Sequence, residues 1–149
     1  MRSERSEIRV VRHRSGAWGL RWRPRRLLQL QRLLDDHTFW AQGRTIPDLR
    51  RMLANSQVVV SAWDGTNLVG FGRANSDGLY RAVLWDVVVA GDRQSQGVGR
   101  LVLEALLNDP WLQKVRKIYL MTTNSSGFYE RLGFRIEKEQ QLLIKTNAQ

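Results

Sequence analysis

An apolar run broken by one carboxylate, Leu84-Trp85-Asp86-Val87-Val88-Val89-Ala90, leads into Gln94-Ser95-Gln96-Gly97-Val98-Gly99-Arg100 and then into a stretch with helical periodicity. Val98, Leu101, Val102, Ala105 and Leu106 fall at i, i+3, i+4, i+7 and i+8, which makes one apolar helix face. The succession is therefore strand, glycine-bearing turn and helix start. First-turn amides of a helix have no internal partner, and the macrodipole adds partial positive charge there. An anion, above all a phosphate, is the natural guest. Gly97 and Gly99 have no Cβ, so a ligand can approach the backbone closely. On the glycines alone, a tight strand-to-helix turn packed against a sheet explains the stretch equally well.

The spacing excludes the common nucleotide fingerprints. It lacks the Lys-Ser/Thr of a P-loop, and the dinucleotide-binding pattern needs a third glycine and a distant acid. Gln94-x-x-Gly97-x-Gly99 after an apolar strand instead resembles the acetyl-CoA pyrophosphate loop of the GCN5-related N-acetyltransferases, the GNAT family. A second match follows about 30 residues later in Gly127-Phe128-Tyr129-Glu130-Arg131-Leu132-Gly133-Phe134, which looks like that family's Phe-Tyr-x-x-x-Gly-Phe segment. The resemblance covers Gln57 to Phe134 firmly and the N-terminal third by length and pattern. Within the family it is most similar to the cyanobacterial and plastid branch, which includes proteins called serotonin N-acetyltransferases.

The resemblance implies a site and a reaction. Gln94, Ser95, Gln96, Gly97, Val98, Gly99 and Arg100 would hold the pyrophosphate of acetyl-CoA, the co-substrate, with Arg93 and Arg100 adding screened charge. Val87, Val88 and Val89 would pair with the pantetheine arm like an extra strand, and the amide of Val88 or Val89 would polarise the thioester carbonyl. Tyr129 matches the family's general acid; a phenol with an ordinary pKa near 10 is protonated at neutral pH and can donate to a leaving sulfur. Without the motif, Tyr129 reads as a core aromatic with its hydroxyl on a backbone carbonyl. The family often carries an Asn seven residues before this Tyr, where it contacts CoA. Here Asn124 stands five residues before Tyr129, with Thr123 and Ser125 as alternatives for that contact.

Asp86 is the candidate base. A carboxylate in an apolar strand is costly unless it is hydrogen-bonded or lines a cavity. Simple alternation puts it on the face of Leu84 and Val88, opposite Trp85 and Val87; a bulge would shift this. It can deprotonate an ammonium, bind a cationic substrate, or cap a neighbouring backbone group. The expected function is an acyltransferase that moves an acetyl group from acetyl-CoA to a primary amine by direct attack in a ternary complex. Acceptor candidates are a small arylalkylamine, a polyamine, a protein N-terminus and a lysine. With no Cys and no expected Ser–His constellation, a covalent enzyme intermediate is disfavoured. The alternative is a non-catalytic acyl-CoA-binding or RNA- or ribosome-associated module on the same fold.

The 149 residues suit one domain with a real core. No run is long enough for a membrane span, and no secretory pattern is visible, so cytoplasm is the expected compartment. Two histidines and no cysteine give no expected metal site. The net charge of +10 favours an anionic partner. It is concentrated: residues 1–26 hold nine Arg against two Glu. This basic arm is either a solvated face or a nucleic-acid or ribosome contact. Trp18 and Trp22 within it either stack on bases or seal the core. A homodimer is left open beside a monomer.

In chain order, Ile8 to Arg12 reads as a strand, and Pro24 opens a helix whose inward stripe is Leu27, Leu30 and Leu34, broadened by Leu28 and Leu33. Thr45 caps a second helix with Ile46, Leu49 and Leu53 inward. Phe39 and Trp40 between them are candidate acceptor contacts or plain core aromatics. Strands follow at Gln57–Trp63, Leu68–Arg73 and Leu79–Ala90, joined by turns at Asp64-Gly65 and Asn75–Gly78. After the Gln94 loop and its helix come a short strand at Ile118–Met121 and a helix from Asn124 to Leu132 closed by Gly133. Phe134–Ile136 and Leu142–Ile144 are expected to complete the sheet. The fold class is α+β, a mixed and mostly antiparallel sheet with helices on both faces, in one domain over residues 1–149.

Overall fold

The computed structural model describes residues 7–94 and 96–148. The first six residues of the basic arm, and Ser95 of the loop, lie outside the described residues. Strands β1 (Ile8–His13), β2 (Val58–Asp64), β3 (Asn67–Ser76), β4 (Arg81–Val89) and β5 (Lys117–Tyr119) form one sheet in the order β1-β2-β3-β4-β5. The first three pairings are antiparallel and β4–β5 is parallel. Helices α1 (Trp18–Arg21), α2 (Pro24–His37) and α3 (Ile46–Ala54) precede β2. Helix α4 (Val98–Leu107) follows the loop, then come α5 (Pro110–Gln113) and, after β5, α6 (Ser126–Glu130). No described helix is long and apolar enough to cross a membrane.

The sheet is covered on both faces. Residues Val58 to Trp63 of β2 are all buried, as a strand sandwiched between helices must be. Helix α2 buries Leu27, Leu30, Leu33 and Leu34, while Leu28 turns out to solvent instead of widening the stripe. In α3 the Thr45 hydroxyl accepts from the Asp48 N–H at 3.3 Å, and Leu49 and Leu53 face inward. Helix α4 buries Val98, Val102, Leu103 and Leu106. Two glycines of β3 set its distance from the sheet. A Cβ on Gly70 would stand 2.9 Å from Val98 Cγ1, and one on Gly72 would stand 2.9 Å from Leu106 Cδ1. Small residues here let α4 lie close over β3, so its N-terminus reaches the end of β4.

Several expectations need correction. Between the expected strand β1 and the helix opened by Pro24, the segment Arg14–Ala17 turns directly into a further helix, α1. Strand β4 starts at Arg81 rather than Leu79, because Asp77 Oδ1 accepts from the N–H groups of Leu79, Tyr80 and Arg81 and holds them in a turn. Asp109 caps the additional helix α5 by accepting from the Trp111 N–H. Phe134–Ile136 and Leu142–Ile144 form no strand, and Ile136, Leu142, Leu143 and Ile144 are exposed. Three apolar residues express a β preference without specifying a register, and β5 offers a ladder only three residues long.

Candidate active site

The site begins where β4 loses its second neighbour. Strand β5 pairs only with Arg81, Ala82 and Val83, so from Leu84 to Val89 the strand has a partner on the β3 side alone. The Ala90 N–H donates to the Val69 carbonyl at 2.9 Å, facing β3. Antiparallel alternation then turns the polar groups of Val88 toward β3 and those of Val89 to the open edge. Consistently, Gln94 Nε2 donates to the Val89 carbonyl at 3.3 Å.

The loop that follows is built for an open backbone. Gly97 caps α4 with φ +78°, a conformation that suits glycine, and a Cβ there would meet nothing within 4 Å. The first helical hydrogen bond runs from the Leu101 N–H to the Gly97 carbonyl at 3.2 Å. The amides of Val98, Gly99 and Arg100 take no acceptor among the described residues. These orphan donors at the positive end of a ten-residue helix fit a phosphate group. Arg93 is committed elsewhere, to Asp64 at the end of β2, and Arg100 pairs along the helix with Glu104 at 2.8 Å.

Tyr129 is brought to this point by a helix end. The Phe134 N–H donates to the Tyr129 carbonyl, and the Gly133 N–H to the Glu130 carbonyl, each at 3.1 Å. With Gly133 at φ +96° and Phe134 packed 5.9 Å from the Tyr129 ring, this is a complete Schellman closure. The spacing Tyr-x-x-x-Gly-Phe is thus the spacing of the helix terminator itself. Phe128 packs edge to face on Tyr129, ring centroids 5.1 Å apart, and reaches the loop helix: Phe128 Cζ and Val89 Cγ2 lie 3.5 and 3.6 Å from where a Gly99 Cβ would stand. Phe128 of α6 and Val89 at the end of β4 thus both stand against Gly99 at the start of α4. Burial raises the Tyr129 pKa above its ordinary 10, and its hydroxyl makes no hydrogen bond to a described residue. Asn124 is exposed, with Oδ1 3.3 Å from the Ser125 hydroxyl that donates to it.

Asp86 sits in a bulge. Val88 pairs with Phe71 and Trp85 with Arg73, so Asp86 and Val87 together oppose Gly72. Asp86 adopts φ +54°, rare for a residue with a side chain. The bulge breaks the expected alternation: Leu84 stays in register with Ala74, whereas Asp86 turns to Arg73 and to the α2–α3 connection. Its side chain is only 3% exposed. Arg44 donates to both carboxylate oxygens at 2.8 and 3.2 Å, Arg73 Nε to Oδ2 at 2.8 Å, and Trp40 Nε1 to Oδ1 at 3.2 Å. Burial works to raise its pKa, but these donors outweigh it and hold the carboxyl below its ordinary range. Arg44 and Arg73 carry no sequence signal for this role; they stand 42 and 13 residues away. Phe39 and Trp40 meet edge to face at 5.1 Å and are both half-exposed or more, so they wall the outer side of this cluster and are not core aromatics.

Contrary to expectation, the fold does bring a histidine to a serine. His13 Nε2 lies 2.7 Å from Ser61 Oγ, which also accepts from Trp63 Nε1 at 2.8 Å. Ser61 is fully buried in β2, so the pair cross-links β1 and β2 and offers no accessible nucleophile. Burial, helped by Arg26, lowers the His13 pKa to about 4.

Residues 25–134 match the model of the acetyltransferase (GNAT) family. The chain is 32% identical over 113 residues to ycf52, an uncharacterized N-acetyltransferase of Pyropia yezoensis, across 72% of this chain and 64% of that protein. It is 38% identical over 96 residues to serotonin N-acetyltransferase 2, chloroplastic, of Oryza sativa subsp. japonica, across 61% and 48%. The chain thus spans roughly half to two thirds of the length of these relatives. Among solved structures, a GNAT-family protein from Xanthomonas campestris superposes with a TM-score of 0.75 at 25% identity, over 95% of this chain and 94% of that one. A family match over most of the chain, residues 25–134, establishes that this chain belongs to the acetyltransferase (GNAT) family.

Proposed function

We propose that the chain is an acetyl-CoA-dependent N-acetyltransferase acting on a primary amine by direct attack. The observation that carries this reading is the convergence on Phe128 of three features: the orphan amides of α4, the open edge of β4 and the helix end bearing Tyr129. Acetyl-CoA would supply the activated acyl group as a thioester. The amides of Val98, Gly99 and Arg100 would hold its pyrophosphate, with Gln94, Ser95 and Gln96 shaping the approach. Val87 and Val89 would present strand-edge groups to the pantetheine arm. Of the two amides considered for polarising the carbonyl, we favour Val89, because that of Val88 faces β3. Tyr129, protonated at neutral pH, would donate its phenolic proton to the departing sulfur.

For Asp86 the four donor contacts and the depressed pKa favour holding the acceptor side of the site over abstracting a proton. The amine would approach over Phe39 and Trp40, whose exposed rings suit an acceptor with an aromatic or apolar body. Asn124 remains a candidate cofactor contact beside Thr123 and Ser125. Cytoplasmic residence is proposed on the chain's own pattern, although the rice relative is named chloroplastic.

The test is thiol release from acetyl-CoA against a panel of arylalkylamines, polyamines and peptides, run beside a CoA titration. Turnover that falls about 100-fold in Tyr129→Phe, with CoA affinity unchanged, supports the reading. Binding without turnover on any amine favours a non-catalytic acyl-CoA-binding module. Absence of CoA binding sinks both.

A further inference from the structure

Helix α1 is held by its centre and displays its flanks. Leu20 is fully buried, while Trp18 and Trp22 are 68% and 49% exposed. Neither tryptophan seals the core. Their rings lie 6.1 Å apart, inclined at 54°. The guanidinium of Arg21 stands 4.9 Å from the Trp22 centroid, and that of Arg50 stands 5.4 Å from it. Arg26 donates to the Gly19 carbonyl at 2.9 Å and Arg50 to that of Arg21 at 3.4 Å, so α2 and α3 both grip α1 with arginines. Arg14, Arg23 and Arg25 are exposed around them, whereas Arg12 reaches instead to the end of α4, where it donates to the Asn108 carbonyl at 3.0 Å.

Among the described residues this charge is uncompensated. Among the described residues, no carboxylate comes within ion-pair distance of Arg12, Arg14, Arg21, Arg23, Arg25, Arg26 or Arg50. The arginines paired in the structure, Arg44, Arg73, Arg93 and Arg100, all lie elsewhere. Clustered like charges repel, and a polyanion would relieve that repulsion.

We infer that the tryptophan–arginine face built from α1 and the starts of α2 and β1's exit turn binds single-stranded nucleic acid, with a base stacked on Trp18 and the arginines on the phosphates. The aromatic component selects among polyanions, since every unstacked base has a π-face that an exposed indole can cover. A duplex keeps its bases stacked, and a four-residue helix is too short to read a groove. A bilayer surface fits less well: interfacial helices need a broad apolar face, whereas Trp22 already carries two guanidinium groups. Pure charge attraction to an acidic protein would not use Trp18 at all.

The experiment is fluorescence anisotropy of a labelled oligouridylate of about 12 nucleotides, long enough for one such site. The full chain is titrated at about 50 and about 200 mM salt, with an expected loss of roughly 50-fold if four phosphates are neutralised. Trp18→Ala is expected to weaken oligonucleotide binding about 5- to 100-fold and Trp18→Phe to restore most of it, while heparin binding stays unchanged. Arg23→Ser with Arg25→Ser is expected to flatten the salt dependence. Equal thermal melts for Trp18→Ala and the parent confirm that the variant is folded. Parent-like oligonucleotide affinity in Trp18→Ala overturns the inference, as does tighter binding to phosphatidylserine vesicles than to the oligonucleotide, or to a duplex of the same sequence.

Discussion

Two arginine clusters in this protein have opposite environments. Around Asp86, Arg44 and Arg73 converge on one buried carboxylate, and Trp40 adds a fourth hydrogen bond. Around α1, the arginines lie on tryptophan rings and backbone carbonyls, with no carboxylate among the described residues to neutralise them. The first arrangement fixes geometry: removing Asp86 leaves two guanidinium groups in a poorly solvated place without their counter-ion. The second leaves charge and ring faces available to a visitor. One residue type therefore supplies rigidity in one region and recognition in another, and the difference lies in what each guanidinium touches.

The largest effect should come from Asp86→Ala, which leaves two guanidinium groups facing each other without their counter-ion. A loss of about 3–5 kcal/mol is expected, read as a fall in Tm of about 10 °C. Asp86→Gly should recover about 1 kcal/mol of that loss, because glycine accepts the left-handed backbone at no steric cost. Equal stability of the two variants would mean that the bulge is unstrained.

Acid titration separates the same two regions. His13, beside Arg26, has a folded pKa of about 4, below its unfolded value near 6.5. The unfolded chain binds the proton more readily, so this contribution is intact above pH 6.5 and lost as pH falls toward 4. It amounts to about 1–3 kcal/mol after allowance for partial exposure. Asp86 is also depressed, but as a carboxyl. Its contribution is intact above the ordinary carboxylate pKa and is lost only as pH falls through its lower folded value. Urea unfolding from pH 7 to 4 should therefore show a decline that His13→Asn flattens and Asp86→Asn does not. A decline unchanged in His13→Asn would remove the buried imidazole from the explanation.

The smallest effects belong to the surface. Glu104→Ala, which frees Arg100 from its pairing along α4, should cost about 0.3–0.5 kcal/mol and raise phosphate affinity slightly if Arg100 screens the loop. Trp18→Ala should change stability by less than about 0.5 kcal/mol, because the ring packs mainly on solvent-facing neighbours. A larger loss would make α1 a structural clamp and blur the contrast with the Asp86 cluster.

Local grammar made the stretch from β4 to α6 readable. The run Leu84–Ala90, the two loop glycines and the periodic helix after them each have a short-range cause. So does Tyr-x-x-x-Gly-Phe, whose spacing is that of a Schellman closure. Other features have causes spread along the chain. Asp86 was conspicuous as a carboxylate in a strand, but its bulge depends on the register with β3, and its partners come from the α2–α3 connection and β3. His13 finds Ser61 only because β1 lies beside β2. Gly70 and Gly72 have their reason only in α4, which lies too close over β3 to admit a side chain there.

The sequence by itself determined the strands β1 to β5 and the helices α2, α3, α4 and α6 between them, the glycine-opened helix start, the family and the excess of positive charge near the N-terminus, because each rests on neighbours a few residues apart. The tertiary structure decided which arginines are spent on a carboxylate and which lie on tryptophan rings and backbone carbonyls, that Trp18 and Trp22 face solvent, and that the apolar residues 142–144 take no place in the sheet among the described residues. Those outcomes depend on register and burial, and both are properties of contacts between segments that the linear pattern does not encode.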